Sequence, residues 1–173
     1  MLLRDVRAED DGAYVRMRCD PLMMAELGGP LPRERVAERL RKDLVEVAAD
    51  RCWIKMIVPD GAEDGEVAGT VTLWSDEEDG AAVSEIGWMV LPGYQGRGLA
   101  KEAVRRVLDA AAADGRWGPV HANPGVANGP SNGICRALGF RLLGERDLDF
   151  ADRVLHTNHW VVVPGEHVGS GTE

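Results

Sequence analysis

Between Glu85 and Val104 the chain reads EIGWMVLPGYQGRGLAKEAV, an apolar run that enters a glycine-rich turn and then an amphipathic helical pattern. At its centre stands Gln95-Gly96-Arg97-Gly98-Leu99-Ala100. A turn that opens a helix leaves several backbone N–H groups without intrahelical partners, at the positive end of the helix dipole. Together they make a site for an anionic phosphate group. Gly96 and Gly98 carry no Cβ, so the chain can bend tightly and a ligand can approach the backbone closely. The predicted chemistry is binding of a phosphorylated cofactor, with Arg97, Lys101, Arg105 and Arg136 as the basic residues available to add charge.

Two common phosphate-binding patterns fit poorly. A Walker A loop needs a Lys-Ser/Thr pair after its last glycine, where this chain has Leu99-Ala100. A dinucleotide fingerprint needs GxGxxG after the first strand. Here the turn comes mid-chain and its pattern is QxxGxA.

The elements that must position this turn follow from periodicity. Strands are predicted at Leu2 to Val6, Cys52 to Val58, Glu66 to Trp74, Ala81 to Leu91, Pro119 to Ala122, Phe140 to Glu145 and Val154 to Val163. An acidic turn is expected at Ser75 to Gly80, making the third and fourth strands a hairpin. Helices are predicted from Asp10 or Asp11 to about Met24, from Pro32 to Ala49, from Arg97 to Ala113 and from Ser131 to Leu138. In the third helix Leu99, Ala103, Val104, Val107, Leu108 and Ala111 form one apolar stripe. Strands and helices mix without strict βαβ alternation, which points to an α/β fold with a mixed sheet and helices on both faces. One domain over residues 1–164 is expected, with a frayed tail from Gly165 to Glu173.

Composition excludes several classes. No apolar run reaches the length of a membrane span, and MLLRDVRAEDD is too short in apolar residues for a secretion signal, so no membrane association and a cytoplasmic location are expected. Net charge is −9, which disfavours nucleic acid and suits a cationic substrate such as an amine. Cys19, Cys52 and Cys135 are too few and too scattered for a disulfide framework. His156 and His159 lie three apart in a predicted strand and so point to opposite faces, which argues against a metal site.

The chain resembles the GNAT N-acetyltransferase superfamily. Gln95, Gly98 and Ala100 fill that family's Q/R-x-x-G-x-G/A pyrophosphate loop. Asn128-Gly129-Pro130-Ser131 is similar to its N-x-x-S region, and Arg136-Ala137-Leu138-Gly139-Phe140 to its LGF region. Met24 to Leu31 resembles the loop between its first two helices. The closest resemblance is to the branch that includes ribosomal-protein N-terminal acetyltransferases. It implies a mostly antiparallel sheet of six or seven strands with about four helices, splayed between the fourth and fifth strands.

The resemblance implies acetyl-CoA as acyl donor and a primary amine as acceptor, joined by direct attack in a ternary complex. The N–H groups of Gln95, Gly96, Arg97, Gly98, Leu99 and Ala100 would hold the pyrophosphate. Trp88, Met89 and Val90 would pair through their backbone with the pantetheine arm, and an N–H near Val90 would polarise the thioester carbonyl. Asn128 would orient the arm, or simply form a turn. An alkyl amine of pKa about 10.4 costs about 4–5 kcal/mol to deprotonate at pH 7, a peptide α-amine of about 7.8 only about 1 kcal/mol. Glu85 is the candidate base, directly or through a water. Many relatives use a tyrosine as general acid five residues before the LGF phenylalanine, and here that position is Cys135. Ser131 is the alternative acid, or a helix cap. Tyr94 is expected to pack rather than react. The acceptor pocket would draw on Leu22 to Leu31, Asn123 to Gly129 and the hairpin near Asp147 to Asn158, with Glu26, Asp147, Asp149 and Asp152 as acidic groups. A different acyl donor, a non-catalytic acyl-CoA sensor and a homodimer remain open.

Overall fold

Strands β1 (Leu2–Asp5), β2 (Cys52–Val58), β3 (Gly69–Glu78), β4 (Ala81–Val90), β5 (Val120–Ala122), β6 (Arg141–Phe150) and β7 (Arg153–Val162) build one sheet in the order β1-β2-β3-β4-β5-β7-β6. The computed structural model describes residues 1–25, 27–62, 66–78, 81–150 and 153–168. Every neighbouring pair of strands is antiparallel except β4 and β5, which run parallel. Helices α1 (Asp11–Arg18), α2 (Arg33–Ala48), α3 (Leu99–Asp114) and α4 (Gly129–Ala137) complete the fold. Among the described residues no helix is long and apolar enough to cross a membrane.

The pleat sends alternate residues to opposite faces of the sheet, and each face has its own core. Val71, Leu73, Ile86, Val120 and Val162 pack with Val104, Val107 and Leu108 of α3 and with Cys135 of α4. Ile54, Met56 and Met89 pack on the other face with Tyr14 and Met17 of α1 and with Val36 and Leu40 of α2. The stripe read for α3 is the buried one, from Ala103 to Ala111. Each large apolar side chain buried this way contributes about 1.5–3 kcal/mol.

Four expectations need correction, one of them that β6 ends at Glu145, since its ladder with β7 runs on to Phe150–Arg153. The first helix stops at Arg18 rather than near Met24. Asp20 Oδ1 accepts from the N–H groups of Leu22 (2.8 Å) and Met23 (3.0 Å), a local turn that replaces helical bonding, and Pro21 has no N–H to continue it. The acidic segment after Trp74 is strand to Glu78, because the β3–β4 ladder continues through Ser75–Ser84 to Glu78–Ala81. Residues 165–168, expected to fray, lie against the α3–α4 face. His167 is fully buried with Nε2 3.1 Å from Asp109 Oδ1, and Val168 N donates to Leu138 O at 3.1 Å.

Candidate active site

β4 and β5 pair only at Ser84–Val120 and Glu85–His121. Beyond Glu85, β4 runs on to Val90 while β5 ends at Ala122, so the sheet opens into a cleft whose apex is the Glu85–His121 pair. Leu91 N donates to Ala68 O on the β3 side. Strand alternation therefore turns the N–H groups of Trp88 and Val90 toward the open side.

The glycine turn lies just past the end of β4. A 3-10 turn at Pro92–Tyr94 leads into it, and Gln95 Nε2 donates to Val90 O at 2.9 Å, tying the turn to the strand end. Gly96 and Gly98 take left-handed φ values of 74° and 76°, and Gly98 is the N-cap of α3. Among the described residues the N–H groups from Gly96 to Lys101 have no hydrogen-bond partner. Gln95 to Gly98 are exposed. The result is a row of unpaired donors at a helix start, open to an anion. Tyr94 OH donates to Glu66 and its ring lies under the Arg97 guanidinium at 5.3 Å, so it serves to shape the turn. Arg105 is held by Glu102 and Asp109, which leaves Arg97 and Lys101 as the basic residues nearest the turn without an ion pair among the described residues.

A parallel pair that opens into a cleft, followed at once by such a turn, is matched by sequence as well as by shape. The family model for the acetyltransferase (GNAT) domain covers residues 1–141. The chain belongs to the GNAT acetyltransferase family. Similar folds include ribosomal-protein-S5-alanine acetyltransferase from Vibrio fischeri, at 16% identity and TM-score 0.76 over 95% of this chain and 93% of that one. yncA of Salmonella typhimurium, solved with its cofactor acetyl-CoA, matches at 19% and 0.73 over 99% and 98%. RimJ of Mycobacterium smegmatis, in complex with CoA-disulfide, matches at 22% and 0.73 over 95% and 82%.

On this GNAT frame the remaining predicted residues divide between the two faces. Trp88 is half-buried against the α3–α4 core, whereas Met89 is buried against α1 and α2. Glu85 lies four residues before Met89 and so shares the α1–α2 face. Cys135 lies fully buried in the opposite core, where burial pushes its thiol up to about 12. Ser131 is half-buried in the first turn of α4, and among the described residues its hydroxyl makes no hydrogen bond. It is not the helix cap. Asn128 has that role, its Oδ1 accepting from Ser131 N at 3.1 Å. The α1–α2 connection reaches the β6–β7 hairpin, where Arg153 Nη2 lies 3.8 Å from the position a Cβ on Gly29 would take. Glu26 and Asp152 lie outside the described residues. Among the described residues no group of three or more His, Cys, Asp and Glu is placed to hold a metal.

Sequence reasoning missed two features. Asn132 is buried and its Oδ1 accepts from both Asn158 Nδ2 (2.8 Å) and Trp160 Nε1 (2.9 Å). Its Nδ2 donates to Gly125 O and Asn128 O, so one side chain joins α4, the preceding loop and β7. The second is a histidine pair, with His121 Nδ1 2.6 Å from His159 Nε2 and ring centroids 4.9 Å apart. Its only signal was the apolar–polar–apolar order of Val120-His121-Ala122, which places His121 on the face opposite the buried pair.

Proposed function

We propose that this GNAT acetyltransferase transfers the acetyl group of acetyl-CoA to a primary amine, a peptide N-terminus or a small molecule, by direct attack. The observation that carries the reading is the cleft between β4 and β5 leading to unpaired N–H groups at the start of α3. Gln95 to Ala100 hold the pyrophosphate through backbone donors and the helix dipole. Trp88 and Val90 offer their N–H groups to the pantetheine arm and to the developing oxyanion. Asn128 fixes the turn that presents Ser131. Glu85, at the apex of the cleft on the α1–α2 face, receives the amine and accepts its proton directly or through a water. Ser131 serves the leaving sulfur. The acetyl-CoA bound by yncA and the CoA-disulfide bound by RimJ support the choice of donor.

Calorimetric titration with acetyl-CoA against CoA, ATP and NAD tests the donor. An amine panel scored for free thiol tests the reaction. Binding of acetyl-CoA with thiol release on one amine is expected. Preference for ATP or NAD would overturn the donor assignment, and acetyl-CoA binding without release on any amine would remove the transfer to amines.

A further inference from the structure

The β6–β7 hairpin sorts its charges by face. Asn158 and Trp160 of β7 point to α4, where both donate to Asn132 Oδ1. Residues in step with them share that face. They include His156 on β7, and on β6 Glu145 and Asp147, which stand opposite Asn158 and His156, with Asp149 one step further on. All three carboxylates are exposed, and Glu145 and Asp147 both hold His156. Asp147 and Asp149, expected at the acceptor pocket, thus leave by the α3–α4 face. The α1–α2 face receives the opposite sign. Arg146 stands there opposite Thr157, and Arg153 reaches the α1–α2 connection, its Nη2 3.8 Å from the position a Cβ on Gly29 would take. Leu31, at most about 7 Å further along that connection, donates its N–H to Arg18 O at 2.8 Å. The Arg18 guanidinium lies over the Tyr14 ring at 5.4 Å. Asp43, beside that ring, is already filled by Tyr14 OH and by Arg39 Nε, each at 2.9 Å. Burial, and then the Arg39 charge, lower the Arg18 pKa below its ordinary value. Among the described residues neither Arg18 nor Arg153 forms an ion pair. A half-buried charge without a counter-ion is costly, so the arrangement calls for an anion from outside.

We propose that the acceptor is an acidic peptide, whose amine reacts at the apex of the cleft while its carboxylate side chains lie on Arg153 and Arg18. The inference rests on the amine acetyltransfer reading above and names its acceptor. The span argues against a small molecule. Glu85 at the apex pairs with His121, and His121 with Val161 of β7. On that face of β7 the residues from Val161 outward are His159, Thr157, Leu155 and Arg153, a length of about 25 Å along the strand. An amino acid's own carboxylate lies within about 4 Å of its amine. An extended peptide advances about 3.4 Å per residue, so side chains from roughly its fourth to seventh residues come level with Arg153. A guanidinium binds a carboxylate through two parallel N–H donors, which favours Asp and Glu over neutral side chains. The net charge of −9 does not oppose this, because the hairpin carboxylates are directed to the other face and more distant charge is screened.

The test uses peptides that begin with Ser or Ala and carry Glu, Gln or Lys at the fourth to seventh positions, with free glutamate and a polyamine alongside. On the unaltered protein a KM about tenfold lower for the Glu peptides than for the Gln peptides is expected, with similar kcat. Arg153→Gln is expected to erase most of that difference. Arg153→Glu is expected to reverse it in favour of the Lys peptides, which a merely structural change would not do. Arg18→Gln is expected to reduce the Glu preference about threefold. Equal KM for Glu and Gln peptides, a lower KM for free glutamate than for any peptide, or a preference unmoved by both Arg153 variants overturns the proposal. Should Arg18→Gln fail to fold, the exposed Arg153 carries the test alone. Turnover of Gln and Lys peptides with no preference for Glu removes this inference and leaves amine acetyltransfer standing. Failure to bind acetyl-CoA in calorimetry, or binding without turnover of any of these amines, removes the underlying transfer reading and the inference with it.

Discussion

Gly98 sits at φ 76° with open space where a Cβ would point, directly before the first turn of α3. A side chain there both strains the backbone and projects into the volume in front of the unpaired N–H groups. Gly98→Trp is expected to weaken acetyl-CoA binding at least 100-fold by calorimetry, with circular dichroism unchanged. Binding retained at the original affinity would sink the assignment of the turn. The acid role divides between two residues with opposite surroundings. Cys135 is fully buried and its thiol is held up to about 12, whereas the half-buried Ser131 hydroxyl makes no hydrogen bond among the described residues. Ser131→Ala is expected to cost more than tenfold in kcat, and Cys135→Ala to cost stability of about 1 kcal/mol with kcat nearly intact. The reverse pattern in steady-state kinetics and urea melts would exchange the roles. His156 gives a pH prediction. Asp147 at 2.7 Å and Glu145 at 3.0 Å raise its pKa above the ordinary value. A raised pKa contributes stability that is fully present below the unfolded value and lost as pH rises through the folded one. The Tm difference between the unaltered protein and His156→Gln should therefore be visible at pH 6 and vanish by about pH 9.

At the scale of elements, the fate of each sequence reading follows from how local its cause was. α2 and α3 were legible because 3.6-residue spacing of apolar residues needs no partner to be recognised, and β2 because its apolar run ends at Pro59-Asp60-Gly61. The glycine turn was legible for the same reason, its chemistry lying in consecutive residues. The histidine pair was not, because His121 and His159 meet only through the β5–β7 pairing, 38 positions apart in the chain. His167 likewise gives no local sign that Asp109 will receive it. Asn132 belongs to this class and supplies the strongest element-level prediction. Asn132→Ala removes the acceptor of Asn158 Nδ2 and Trp160 Nε1 in a buried setting. Two buried donors left without partners cost about 2–4 kcal/mol together. Urea unfolding should show that loss, and amide exchange should show the 125–132 segment loosened first. A loss below about 1 kcal/mol would mean that the network is replaced by water.

The whole molecule sets an electrostatic conflict for its donor. The chain carries net charge −9, yet the proposed pyrophosphate site is a row of N–H groups with Arg97 and Lys101 beside it. Distant acidic groups repel an anionic ligand, and the local donors attract it. The two act over different ranges, so salt separates them. The Debye length falls from about 30 Å at 0.01 M to about 10 Å at 0.1 M and about 3 Å at 1 M. The first interval screens the acidic remainder of the molecule, while contacts at hydrogen-bond distance survive. The second interval also screens the Arg97 and Lys101 charges. Acetyl-CoA binding should therefore tighten, by about two- to threefold, between 0.01 and 0.1 M salt and weaken again toward 1 M. Arg97→Gln should flatten the weakening limb and leave the tightening limb in place, because it removes a local charge and not the distant field. Affinity that weakens steadily from the lowest salt would show that local basic charge governs the approach and that the net −9 does not reach the cleft.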